Sequence, residues 1–315
     1  MPKCLDHKGP FGMCGISGIV HKNASLDNPA PIGRDLKVML EALAHRGRDS
    51  TGITIAGNNL NSNLVVRLWG QDDDWDNIFI LMRENLSTLG AIIESSQYTE
   101  NFARISIAYE GEITILAETL IRTPGIVIHS IGESSETIKD VGTAINLDTK
   151  HGLSQLTGTH GIGHVRMATE SLVDISHSHP FWAYPFPDIT VVHNGQLTNY
   201  HKLKRKYEDH GHHFQTRNDS ELIAVYLASQ MQDGQSLEDS LKASLEDLDG
   251  TFTYLVSTRH GMGYAKDRWS AKPLVTMETE DVVAVASEET ALRKIFTNEI
   301  QRAEPQENEV MTWSV

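Results

Sequence analysis

The sequence predicts an α+β fold of antiparallel sheets with helices outside, and three observations carry that expectation. Short apolar runs come in hairpin pairs, as in "GTFTYLVSTRHGMGYAKD", where two alternating strands flank "RHG". Helical-period segments lie between these runs without the regular strand–helix alternation of a doubly wound parallel sheet. No fixed-period repeat or low-complexity linker divides the 315 residues, a length that allows one large or two ordinary domains at roughly 150 residues each.

The elements follow in order. "GISGIV" is a short apolar run suited to a buried strand starting at Cys14, and "HKNASLDNPAPIG" is turn chemistry. "RDLKVMLEALAHRG" spaces Leu36, Met39, Leu40 and Leu43 as a helix that Gly47 ends. "TGITIAG" reads as the next strand. Residues 61–157 hold the strand-like "NLVVRLWG" and "ARISIAYEG", the helix-like "DDWDNIFILMRENLSTLGAII" and a mixed stretch through "SSETIKDVGTAINL". They carry no chemical constellation and read as an inserted α/β excursion. Beyond Gly158 come a strand in "GIGHVRMATES", a strand and helix in "DITVVHNGQLTNY", a helix opening at "NDSEL", and a strand entering a helix in "VVAVASEETAL". Residues 301–315 read as a C-terminal tail.

Composition narrows the function. At 39% hydrophobic and 22% charged the chain is an ordinary globular protein. A net charge of −15 disfavours non-specific nucleic-acid binding. No apolar run is long enough to span a bilayer, and residues 1–13 lack the apolar region of a secretory signal, so a cytoplasmic location is expected. Two cysteines, Cys4 and Cys14, form neither a disulfide framework nor a zinc spacing. "HGHHF" at 210–214 lacks partners of metal-site spacing, so no metal is expected. The "DDDWD" run reads as a solvated helix start.

Cys14 follows Met13. A thiolate nucleophile needs a base, and a cysteine at the chain terminus has its own α-amine, of pKa about 8, for that task. The motif therefore fits a start at Met13 with methionine removal, or a propeptide over 1–13. Taken alone, the motif fits a buried structural cysteine better. Asn194 and Gly195 in "VVHNGQLTN" could converge two N–H donors on an oxyanion, or form an ordinary Asn-Gly turn. Arg166 suits a carboxylate, with Thr169 three residues on. Asp219 suits an ammonium group or a helix cap.

"MCGISGIV", "HRGRDSTG", "GHVRMATE", "SHPF", "VVHNGQLTN", "NDSE", "AKPL" and "VAVASEETAL" occur in this order. Together they resemble a class II glutamine amidotransferase domain of the N-terminal-nucleophile hydrolase superfamily, over about 14–300. That resemblance implies a four-layer α/β/β/α sandwich, with Cys14 as nucleophile, Asn194 and Gly195 as the oxyanion hole, Arg166 and Thr169 at the glutamine α-carboxylate, and Asp219 at its ammonium. Arg46 in "HRG" has a structural part near the site. Arg48 departs from the proline or glutamine common there. The chain is most similar to the stand-alone amidotransferase-like subunit of N-methylglutamate synthase, a complex that resembles glutamate synthase. This implies ammonia supply to separate synthase subunits in a hetero-oligomer. No cofactor is expected in this chain, and FMN and iron–sulfur centres would sit on the partners. A catalytically silent assembly or regulatory subunit is the rival, favoured if the mature chain keeps residues 1–13.

Overall fold

The computed structural model describes residues 14–57, 64–167, 173–299 and 301–315. The N-terminal extension with Cys4, and Thr169, lie outside them. Among the described residues the strands form three sheets, and every strand pair in the two larger ones is antiparallel.

The seven-stranded sheet runs Arg302–Ala303, Val275–Glu278, Val282–Ala286, Gly15–His21, His160–Arg166, Ser50–Ala56, Ser135–Val141. The five-stranded sheet runs Val310–Ser314, Gly261–Lys266, Gly250–Thr258, Thr190–Leu197, Phe181–Trp182. Strand periodicity sorts the side chains into layers. Ile16 and Val20 from the first strand pack between the sheets with Ile162, Val192, Leu255, Met262 and Val285. Ile19, on the opposite face of that strand, packs with Leu36, Met39 and Leu40 of the helix Ile32–Ala42. On the far side Val191, Phe252, Tyr254 and Val256 pack against Leu222, Ile223, Tyr226 and Leu241 of the helices Asp219–Gln232 and Leu237–Asp247. The result is the four-layer sandwich expected from the sequence, helices over sheet over sheet over helices.

The helix that the apolar spacing carries to Gly47 stops at Ala42. Leu43 still fills the core, and its carbonyl accepts from the Arg46 amide at 2.8 Å in a turn. Leaving the helix early swings Arg46 back toward the first strand.

The third sheet runs Ile92–Thr99, Phe102–Ala108, Leu64–Gly70, Ile126–Gly132. The helices Trp75–Ser87 and Ile113–Ile121 supply Trp75, Phe79, Met82, Leu116 and Leu120 to its core. Asp74 caps the first of them, accepting from the Asn77 amide at 3.4 Å. This separate layer spans a shorter stretch than 61–157, because Ser135–Val141 adds to the seven-stranded sheet beside Ser50–Ala56. Glu136 on that strand joins the layers. It is 4% exposed and meets Arg67 at 2.6 Å and Arg104 at 3.0 Å, both from the small sheet. Trp182 and Tyr184 pack into the same core. The last residues are no loose tail, since Val310–Ser314 pairs with Gly261–Ala265. That pairing covers the edge of Gly261–Lys266, which would otherwise be the open edge of a four-stranded sheet.

Candidate functional site

Cys14 directly precedes the first strand, at the end where Gly15 pairs with Val165 and Ser287 meets Ile16. The Ser287 hydroxyl accepts from the Ile16 amide at 3.0 Å, and the Ser287 amide donates to the Ile16 carbonyl at 3.0 Å. This pins the residue two places after Cys14 on both sides.

Two side chains close on the Cys14 carbonyl. Arg46 donates from Nε at 3.0 Å and Asn194 donates from Nδ2 at 2.9 Å. Arg46 is buried, and its Nη1 donates to Glu288 at 2.6 Å. Burial would raise the Glu288 carboxyl, but Arg46 and His45 outweigh it and hold it below its ordinary value. Gly47 explains the glycine of "HRG": a Cβ there would lie 2.4 Å from the Arg166 backbone carbon. The chain after Arg46 therefore rests directly on the strand end that carries Arg166.

The Cys14 thiol donates to the Met167 carbonyl at 3.8 Å. Burial pushes this thiol above its ordinary value, and the Met167 contact with the charges of Arg166, Arg46 and Lys272 offsets only part of that shift. A thiol so placed needs a base to ionise near neutral pH. Arg166 is buried at the end of its strand, and its carbonyl accepts from the Asp49 amide at 3.0 Å.

Asn194 and Gly195 lie within the strand Thr190–Leu197, so they form no Asn-Gly hairpin turn. Asn194 has one N–H on Cys14 and, as a primary amide, carries a second. Gly195 has φ +150°, and a Cβ there would meet the Thr251 carbonyl oxygen at 2.1 Å. Only glycine holds this backbone without strain.

Asp219 is not the cap of its helix. Asn218 is, with its side chain accepting from the Ser220 amide at 2.9 Å. Asp219 is thereby left to face the strand end, where its Oδ2 accepts from the Leu197 amide at 2.9 Å and its Oδ1 lies 3.5 Å from His193 Nδ1. Burial would raise this carboxyl, but His193 and the Leu197 and Ser220 amides outweigh it and hold it low.

Cys14, Asn194 and Arg166 are thus joined by direct contact or charge, and Asp219 is anchored two residues beyond Gly195. Glu288 was not singled out from the sequence. Its motif was visible, but nothing in spacing links residues 242 positions apart. From the sequence His193 carries only a loop-holding expectation, and the buried Ser220 and His179 carry no expectation at the site. Among the described residues no three His, Cys, Asp or Glu side chains are grouped to hold a metal ion, and no helix is long and apolar enough to cross a membrane.

A family profile described as a glutamine amidotransferase domain matches residues 164–294. A Methanothermobacter thermautotrophicus protein provisionally named a glutamine amidotransferase is 38% identical over 308 residues, covering 94% of this chain and 98% of its own. The glutamine amidotransferase-like protein GlxB of Rhizobium meliloti is 34% identical over 302 residues, covering 96% and 98%. The amidophosphoribosyltransferase of Methanocaldococcus jannaschii is 30% identical over 179 residues, or 56% of this chain and 38% of that protein. In fold, the chain superposes on the glutamine phosphoribosylpyrophosphate amidotransferase of B. subtilis with TM-score 0.58 and 20% identity, over 95% of this chain and 47% of that one. That sandwich is the N-terminal-nucleophile hydrolase fold. With two relatives matched along nearly their whole length, the chain belongs to the class II glutamine amidotransferases.

Proposed function

We propose that this chain hydrolyses the side-chain amide of glutamine at Cys14 and delivers the ammonia to a separate synthase chain. The observation that carries this reading is the convergence of Arg46 and Asn194 on the Cys14 carbonyl, which fixes the nucleophile residue where its thiol sits beside Met167 and near Arg166.

In the active form Cys14 is the first residue, and its α-amine takes the thiol proton. The thiolate attacks the amide carbon. The second N–H of Asn194 and the Gly195 amide stabilise the resulting oxyanion. The amine returns the proton to the leaving nitrogen, ammonia departs, and a γ-glutamyl thioester remains. Water then attacks the thioester, releasing glutamate and the free thiol. Arg166 and Thr169 hold the substrate carboxylate and Asp219 holds its ammonium. No step requires a metal or cofactor from this chain.

The partner is a synthase of the N-methylglutamate synthase kind, and FMN and iron–sulfur centres belong on its chains. The docking surface is the third sheet's helical face. Ile80 at 52% exposure, Leu81 at 43%, Ile115 at 46% and Ile121 at 41% support that assignment, as apolar residues on the two helices that cover this sheet.

Purification from the native host tests the proposal. A flavin-binding chain should co-purify, a glutamine-mimicking diazoketone should label Cys14, and hydrogen exchange should slow on the helices 75–87 and 113–121 in the complex. A monomer with full glutaminase turnover and no co-purifying chain would overturn the subunit reading.

A further inference from the structure

Behind Asp219 lies a buried polar chain that the reaction as written does not use. His193 Nδ1 sits 3.0 Å from the Ser220 hydroxyl, and the same hydroxyl sits 2.9 Å from His179 Nε2. The His179 ring stacks on His164 with centroids 4.0 Å apart. All four side chains are buried.

The direction of this chain follows from the carboxylate. Asp219 Oδ1 lies 3.5 Å from His193 Nδ1. A lone pair on that nitrogen would face an anion, so Nδ1 carries the hydrogen. The single Nδ1–H is then shared, with the shorter contact to the Ser220 oxygen at 3.0 Å and the longer one to Asp219 Oδ1 at 3.5 Å, and the Ser220 hydrogen is left to donate to His179 Nε2. His179 completes the chain as a neutral acceptor, because burial with the charges of His164, His193, Lys139 and Arg166 holds it well below its ordinary value. His164 is also neutral, pushed down to about 3 chiefly by burial. The His193 ring runs close beside the Gly195 backbone, where an added Cβ would lie 2.9 Å from its Nε2.

We propose that His193 is a positioning residue for substrate binding: its Nδ1–H aims the Asp219 carboxylate at the site, and Ser220 and His179 lock the imidazole in the tautomer that does so. This rests on the reading of Asp219 as the ammonium site. His193 would act through Asp219. The Leu197 and Ser220 amides also help to hold Asp219 low. Tyr200, from the helix Tyr200–Asp209, has a phenol pushed up to about 12, first by burial and then by Glu221 and Asp219. Glu221 is itself raised by burial.

The test uses chains beginning at Cys14. His193→Phe keeps the ring's bulk and removes the donor, whereas His193→Asn places an amide N–H near the former Nδ1. Losing one hydrogen bond to a charged group predicts a rise of about tenfold or more in KM for glutamine in the Phe variant, with kcat little changed. The Asn variant should recover most of that loss. Carbon-13 NMR of labelled aspartate should place the Asp219 titration midpoint higher in the Phe variant and return it in the Asn variant. Ser220→Ala gives a second route if the Phe variant does not fold, and should raise KM in the same direction. An unmoved Asp219 midpoint in whichever variant folds would overturn the proposal. So would a fall in kcat at constant KM in both His193 variants, which would mean support of the Asn194 strand alone. The titration is independent of turnover. If the parent chain fails to hydrolyse glutamine while the midpoint still moves, the positioning role stands and the glutamine reading falls.

Discussion

The Asn194 side-chain amide donates to the Cys14 carbonyl at 2.9 Å, tying a residue of the five-stranded sheet to one 180 positions away that directly precedes a strand of the seven-stranded sheet. In the proposed mechanism this side chain positions the nucleophile residue and keeps its second N–H for the oxyanion. Asn194→Ala removes both, and kcat for glutamine hydrolysis should fall by about 100-fold or more. Steady-state ammonia release measures this. An unchanged kcat would remove Asn194 from the oxyanion role.

Arg166→Lys and Asp219→Asn should act on binding. Arg166→Lys exchanges the bidentate guanidinium for a single ammonium and Asp219→Asn removes the carboxylate charge, so KM should rise while the melting temperature moves little. Asn218, not Asp219, caps the helix, so Asp219→Asn leaves the cap intact. Asn218→Ala should show the reverse pattern, a stability loss of about 1 kcal/mol. Thermal melts beside kinetics separate the two.

The contrast between Asn218 and Asp219 marks where the sequence was legible and where it was not. "NDSE" announces a helix start, but which of its first two residues caps and which turns to the strand is decided by the Leu197 amide, supplied from 22 residues away. The layers were legible because Ile16, Ile19 and Val20 alternate and Leu36, Met39 and Leu40 repeat at helical spacing. The strand Ile92–Thr99 was not, because it is a largely exposed sheet edge and lacks a buried face to impose alternation. Strand order also escaped: Gly15–His21 lies between His160–Arg166 and Val282–Ala286, pairings that no local pattern encodes.

Gly195→Ala tests the backbone of the oxyanion strand. At φ +150° with a Cβ 2.1 Å from the Thr251 carbonyl oxygen, the strand must shift, and a residue forced into such a conformation costs about 1–3 kcal/mol. Denaturant unfolding should report that loss, and kcat should fall with it because Asn194 moves too.

Glu136→Gln tests the bond between the small sheet and the core. It leaves the part-buried Arg67 and Arg104 without their carboxylate, a loss of about 1–3 kcal/mol. Burial acts to raise the Glu136 carboxyl, yet the two arginines hold it below its ordinary value. A carboxyl lowered by folding adds stability above its unfolded pKa and gives it up as the pH falls through the folded one. The parent chain should therefore lose stability as pH drops below the ordinary glutamate range, and the variant should lose less over that interval. Urea melts across that range provide the check.

The most direct measurement compares glutamine hydrolysis by a chain that begins at Cys14 with the same chain still carrying residues 1–13, each form verified by intact mass. The account requires the α-amine of Cys14 as base, so only the form beginning at Cys14 should release ammonia. Cys14→Ala should abolish that activity and Cys4→Ala should have no effect on the form that retains it. Equal turnover by a verified form starting at Met1 would contradict the account.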